Sequence, residues 1–246
     1  MDSAGLVVVV PVAGLWTSPA APRPVDALAV EDRPDVAGWC ATLDLAGASH
    51  PYAGRLGLHD RLESQLLRGE QVVMVEEGTD GWVRVVCPEQ PSSRDSRGYP
   101  GWARRAHLGV AEKRAEPEAA VTASVRALLG AARSYAGSPY LWGGMTAYGI
   151  DCSGLVHLAA RSVRIRLPRD AHDQQQATIP LAVEQARAGD LYFFARPGEP
   201  AHHVGIVTEP GVMLHAPQTG SFVVEEPLSA ERRATLAEAG RLPGIR

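Results

Sequence analysis

The sequence predicts an α+β protein: a small β-barrel over residues 1–110, a linker at 111–120, and a second domain at 121–246 in which helices precede antiparallel strands. Three observations carry this. Up to residue 110 the chain is a series of short β-branched runs separated by Gly, Pro and Asp turns, the punctuation of a small all-β domain. Past residue 120, two stretches with apolar residues at helical spacing come first and four strand-like runs follow. Between them, Ala111-Glu112-Lys113-Arg114-Ala115-Glu116-Pro117-Glu118 is charged and short of large apolar side chains, as a linker is.

Each element has its own local reason. Residues 6–10 form a strand, stopped by Pro11 and far too short to span a bilayer. They lack the basic flank and long apolar core of a secretory signal, so a cytoplasmic address is expected, with no membrane partner. Residues 17–37 hold Pro19, Pro22, Pro24 and Pro34 and are expected as a long loop, with Cys40 following Trp39 in irregular chain. Residues 70–77 make a second strand, Gly78-Thr79-Asp80-Gly81 turns it, and residues 82–86 return as a hairpin. Gly98-Tyr99-Pro100-Gly101-Trp102-Ala103 adds another turn and strand.

In the second half, Val125, Leu128, Leu129 and Ala132 share one face of a helix over 121–136, with Thr122 or Ser124 as its cap. A glycine-rich loop, Trp142-Gly143-Gly144-Met145, leads to a helix that opens at Cys152 and continues through Leu155, Val156, Leu158, Ala159 and Ala160. Strands are expected at 189–194, 203–207, 212–215 and 222–225. The tail from Leu228 has some helical pattern and no recognisable chemistry.

Composition narrows the function. With 24 basic and 28 acidic residues the net charge is −4, which gives no reason to expect nucleic acid as a partner. The basic runs at Arg104-Arg105, 161–169 and Arg232-Arg233 are short enough to be solvated surface. Cys40, Cys87 and Cys152 are odd in number and form no CxxC pair, which argues against a zinc site or a disulfide framework. No metal or cofactor is expected. Cys40 and Cys87 read as buried structural thiols, leaving Cys152 as the reactive one.

Cys152 stands at a helix N-terminus, where unpaired N–H groups and the helix dipole favour a thiolate. A nucleophilic thiol needs a histidine base, and that base needs an orienting partner. Of eight histidines, His203 begins an apolar strand while His202 faces the other way. His215 ends the next strand, twelve residues on, after a turn through Glu209-Pro210-Gly211. If the two strands pair, one histidine can act on the thiol while the other holds it, and spacing alone does not say which. His157 lies five residues along the Cys152 helix and points away; His172 is expected in a loop; His50, His59 and His107 belong to the other domain.

Six ordered blocks then point to a family: Tyr140-Leu141-Trp142-Gly143-Gly144, Asp151-Cys152-Ser153-Gly154-Leu155, Leu167-Pro168-Arg169-Asp170, Gly189-Asp190-Leu191, His203-Val204-Gly205-Ile206 and Leu214-His215. Over roughly residues 120–226 the chain resembles the NlpC/P60 cysteine peptidases, papain-like enzymes that cut bacterial cell-wall peptides. The resemblance implies Cys152 as nucleophile, His203 as base working as a thiolate–imidazolium pair, His215 as orienting residue, and Tyr140 as a donor to the oxyanion. The first half, through Leu66-Leu67-Arg68-Gly69-Glu70, Gly81-Trp82-Val83 and Gly98-Tyr99-Pro100-Gly101-Trp102, resembles a bacterial SH3-like domain, a looser match.

Together the halves look like the γ-D-glutamyl-L-diamino acid endopeptidases, which trim murein peptides with a free N-terminal L-alanine. That resemblance implies Tyr99 and Glu63 in the alanine pocket, completed by Asp151, Ser153, Trp142 and Asp170. Carboxylates suit a desolvated ammonium. Arg169 is expected either on the D-glutamate α-carboxylate or paired with Asp151. The roughly 50 residues between Tyr99 and Cys152 leave no room for the second SH3-like module that members of this subgroup can carry, and Glu63 is only an approximate positional match. A Cys-His amidase or acyltransferase, or an inactive wall-binding module, are the alternatives. A monomer acting on murein peptides in recycling is expected.

Overall fold

The strand predicted at 6–10 is shorter, β1 (Leu6–Val8), and an unpredicted one, β2 (Val12–Trp16), follows Pro11. The computed structural model describes residues 5–110 and 123–245; the predicted linker at 111–120 and the cap candidate Thr122 lie outside the described residues. Contacts divide the chain into two compact units, one of Met1–Glu118 with Leu141–Gly149, the other of Ala119–Tyr140 with Ile150–Arg246.

In the first unit, β1 and β2 join β3 (Leu62–Leu67), β4 (Gln71–Glu77), β5 (Trp82–Cys87), β6 (Tyr99–Arg104) and β7 (Leu108–Val110). They form one antiparallel sheet in the order β3-β2-β6-β5-β4-β1-β7. No pairing between β3 and β7 is present among the described residues. β3 escapes an alternation pattern because its buried residues include Ser64 and Gln65. Ser64 Oγ donates to Gln90 Oε1 (2.7 Å), and Gln90 Nε2 donates to the Gln65 carbonyl (2.9 Å).

The expected loop over 17–37 contains a short helix, α1 (Ala27–Val30), and the start of a longer one, α2 (Val36–Ser49). Cys40 therefore sits inside α2, not in irregular chain. Its buried face is Val36, Trp39, Cys40 and Leu43, spaced i, i+3, i+4, i+7. The Asp35 carboxylate caps it, accepting from Gly38 N–H at 2.9 Å. Trp39 Nε1–H donates to the buried Asp26 at 2.9 Å, which Arg23 neutralises. Leu141 is fully buried in this same cluster, and Met145 N–H donates to Gln65 Oε1 (2.8 Å), fixing the Leu141–Gly149 segment within the unit.

The second unit has the expected order of helices, then strands. α3 (Val125–Arg133) is capped by Ser124 and packs on α4 (Cys152–Ser162), every residue of which is buried up to Ala160. The sheet runs Ile179–Leu181, Leu236–Arg241, Leu191–Phe194, His203–Glu209, Val212–His215, Val224–Pro227, antiparallel throughout. The strand expected at 222–225 lies at Val224–Pro227. The tail is helical only over α6 (Ala230–Thr235), then becomes a strand between two others. Leu236-Ala-Glu-Ala-Gly-Arg is helix-forming by composition, so its neighbours in the sheet override propensity. No helix among the described residues is long and apolar enough to cross a membrane.

His157 on α4 is buried, with Nδ1–H donating to the Leu167 carbonyl at 2.9 Å and Nε2 unpartnered among the described residues. Burial and then the Arg169 charge push its pKa down to about 4. A depressed histidine stays neutral in the fold while the unfolded chain takes up a proton, so its share of stability is lost as pH falls from about 6.5 to about 4. Measured against His157→Gln in urea, the parent's advantage should shrink by roughly 3 kcal/mol across that window; parallel curves would contradict a neutral buried imidazole.

Candidate active site

Cys152 is the first residue of α4, and the residue before it builds the helix start. Asp151, in extended backbone conformation, caps α4 by accepting from Gly154 N–H at 2.6 Å. The same carboxylate takes a bidentate fork from Arg169 (Nη1 to Oδ1 2.9 Å, Nη2 to Oδ2 2.7 Å), and Arg169 Nη1 also donates to Ser153 Oγ at 2.9 Å. Arg169 is 1% exposed. Of its two expected partners, then, the guanidinium takes Asp151. Gln174 Nε2 ties the Ser153 and Pro168 carbonyls together at 2.9 Å each. His172 lies in α5 (Ala171–Gln176), not in a loop.

The backbone N–H groups of Val204 and Ser153 act to lower the Cys152 thiol pKa. Burial, and next the Asp151 charge, nevertheless push the thiol up to about 12. Burial holds the Tyr140 phenol pKa well above the usual value, so the hydroxyl remains a donor.

The strand that begins at His203 packs on α4, so the element beside the Cys152 helix carries the predicted base. His203 is buried and His202 exposed, as alternation requires. His203 Nε2 and His215 Nδ1 are 2.8 Å apart, their rings edge-on at 74°. Gly205 leaves room for this: a Cβ there would lie 3.2 Å from His215 Cβ and 2.7 Å from Met213 Sδ. Phe194 packs against the His203 ring at 5.4 Å. Burial, then the positive charge of Arg232, lowers the His203 pKa well below its usual value. Thiol up and imidazole down favour a neutral resting pair over the expected thiolate–imidazolium. Burial of the thiol, with 7% of the residue exposed, acts against the thiolate that the helix N-terminus favours.

One functional group was missed in the sequence. His215 Nε2 lies 3.1 Å from Glu226 Oε1 on the neighbouring strand. Met213 faces Glu226 in the register and His215 faces Val224, so His215 and Glu226 are diagonal neighbours on one sheet face. Nothing in the linear sequence separates Glu226 from Glu225, which pairs with Arg133 instead.

The remaining predicted residues divide between the units. Asp170 precedes α5 in the second unit. Asp170, His172 and Asp173 have ligand atoms within 4.8 Å of one another, a spacing compatible with a cation, though His172 already lies 3.2 Å from Asp173. Glu63, Tyr99 and Trp142 belong to the first unit. Glu63 on β3 is forked by Arg94, whose guanidinium also reaches Tyr99 Oη (3.4 Å) and lies over its ring at 5.5 Å. Trp142 stacks on His59 at 4.1 Å.

Residues 137–236 match the NlpC/P60 family model. Over 86% of the chain and 90% of the relative, the sequence is 29% identical to the γ-D-glutamyl-L-lysine dipeptidyl-peptidase of Bacillus subtilis (strain 168). The enzyme of the same name from Bacillus cereus (strain ATCC 10987) is 27% identical over 88% of this chain and 84% of its own. A crystal structure of an NlpC/P60 family protein from Bacillus cereus ATCC 10987 shares the fold, with a TM-score of 0.85 at 24% identity over 97% of this chain and 99% of that one. The segment that carries Tyr140, Cys152, His203 and His215 is thus an NlpC/P60 family domain.

Proposed function

We propose that this chain is a cysteine endopeptidase that hydrolyses the γ-D-glutamyl–L-diamino acid bond of murein peptides, with a free N-terminal L-alanine recognised on the substrate. The observation that carries the reading is His203 paired with His215 at 2.8 Å, on a strand packed against α4, the helix that opens at Cys152. Two relatives matched over most of the chain bear the name of that activity toward γ-D-glutamyl-L-lysine.

His203 takes the thiol proton as sulfur attacks the γ-carbonyl of D-glutamate. Coupling the two steps avoids a free thiolate in a buried site. Tyr140 Oη–H and the Cys152 N–H donate to the oxyanion of the tetrahedral intermediate. His203 then gives the proton to the departing diamino-acid amine, leaving a thioester. It removes a proton from the water that cleaves that thioester, and returns it to sulfur. His215 holds the His203 ring throughout. No step calls for a metal.

The first unit is read as SH3-like, supported by the β4–β5 hairpin and the Tyr-Pro-Gly-Trp start of β6. For the ammonium, Glu63 is the candidate carboxylate, and Arg94 already supplies a cation there that the substrate must displace or share. A free amine on the substrate fits soluble peptides undergoing recycling in the cytoplasm by a monomeric enzyme. L-Ala-γ-D-Glu-diaminopimelate and its lysine counterpart, each with and without N-acetylation, test the reading. Acetylation should lower kcat/KM by roughly a hundredfold or more, because the amide removes the ammonium that a carboxylate would recognise and adds bulk in its place. Equal cleavage of both forms would rule out the alanine pocket while leaving the cysteine chemistry standing.

A further inference from the structure

We infer that Glu226 is a positioning residue for the proposed reaction, which sets the tautomer of the whole histidine pair from the far side of His215. The argument rests on the peptidase reading above and on the direction of each hydrogen bond. An ionised carboxylate only accepts, so at 3.1 Å the His215 Nε2 must carry a hydrogen and donate it to Glu226 Oε1. In neutral His215 the other nitrogen, Nδ1, is then bare and accepts. Its partner at 2.8 Å, His203 Nε2, must carry the hydrogen between them. That leaves His203 Nδ1 with the free lone pair, the atom a general base needs.

Reverse the outermost bond and every step reverses. With Nδ1–H on His215, two hydrogens face each other across the 2.8 Å contact unless His203 also switches. A switched His203 has its hydrogen on Nδ1 and no lone pair there for the thiol. The site contains nothing else on His215 Nε2 to prevent this: its hydrogen-bond partner is Glu226 alone among the described contacts. Phe194 packs against the His203 ring and offers no polar atom that could choose between the forms. Burial and the Arg232 charge lower the His215 pKa, and Glu226 acts against both. Glu226 is about half exposed, which makes its loss a chemical change with little effect on the core.

The test is kinetic and spectroscopic, on the full chain. Glu226→Ala should lower kcat by roughly tenfold to a hundredfold with KM within about twofold, because an outer partner tunes the base without touching substrate. Glu226→Gln should restore most of the rate, since its amide oxygen accepts from the same N–H. Imidazole ¹⁵N spectra should show His215 protonated at Nε2 in the parent and in Glu226→Gln, and a mixture of tautomers in Glu226→Ala. Cys152→Ala is measured alongside. Activity in that variant would overturn the peptidase reading itself. If Cys152→Ala is inactive while Glu226→Ala keeps the parental kcat, or if Glu226→Gln falls as far as Glu226→Ala, the tautomer role is overturned and the peptidase reading survives.

Discussion

Arg169→Ala is expected to cost about 3–5 kcal/mol of folding stability, because it leaves the Asp151 carboxylate buried without its counter-charge. The fork is bidentate, Arg169 is 1% exposed and Asp151 7% exposed, so little water can reach in to replace the guanidinium. The cost is about the missing partner, not the intrinsic worth of the pair: a buried ion pair replaced whole by neutral groups is often close to neutral in stability. Asp151→Asn/Arg169→Met should therefore recover most of the loss, all the more because asparagine caps a helix as well as aspartate does. Urea midpoints at constant slope measure both. A loss under about 1 kcal/mol in Arg169→Ala, or no recovery in the double variant, would show that the pair does not hold the start of α4.

The catalytic spacing was legible because it depends on two short-range rules. Alternation along a strand separates His202 from His203, and a tight turn at Pro210-Gly211 brings His215 back beside it. α2 was also legible and overlooked: Val36, Trp39, Cys40 and Leu43 have helical spacing, but four prolines upstream suggested a loop that runs further than it does. Those prolines end where Asp35 caps the helix.

Other features depend on what packs where, and no local pattern carries that. The Leu236–Arg241 strand is made of helix-forming residues and is a strand because it lies between Ile179–Leu181 and Leu191–Phe194. Gly240 there has Thr178 Oγ1 2.2 Å from where a Cβ would be, so the residue reports a tight interior and not a turn. Glu226 looks like any charge on a solvated strand until the register places it diagonal to His215. The sign of the thiol shift belongs to the same class: a cysteine at a helix start argues for a thiolate, while a fully buried helix argues against one, and burial is visible only in the fold.

Replacing either Cys152 or His203 with alanine should lower turnover by on the order of 10⁴-fold or more, and the double variant should be no worse than either single one, since the two act as a unit. Their protonation gives the prediction a second edge. The thiol is pushed up to about 12 by burial and by Asp151, and His203 is held well below its usual range by burial and by Arg232. Between those limits the substrate-free pair is neutral. Cys152 should then alkylate slowly near pH 7, its rate rising with pH to well above the ordinary thiol range near 8.5. Peptide turnover should already run at neutral pH and persist below pH 6.5, because a depressed imidazole stays unprotonated, and therefore a base, into more acid solution. Thiolate ultraviolet absorbance at pH 7, read as the difference between the parent and Cys152→Ala, should be absent. A clear thiolate signal at pH 7, with alkylation saturating at or below the ordinary thiol range, would mean that Val204 N–H and the helix N-terminus outweigh burial. Attack would then start from a preformed ion pair.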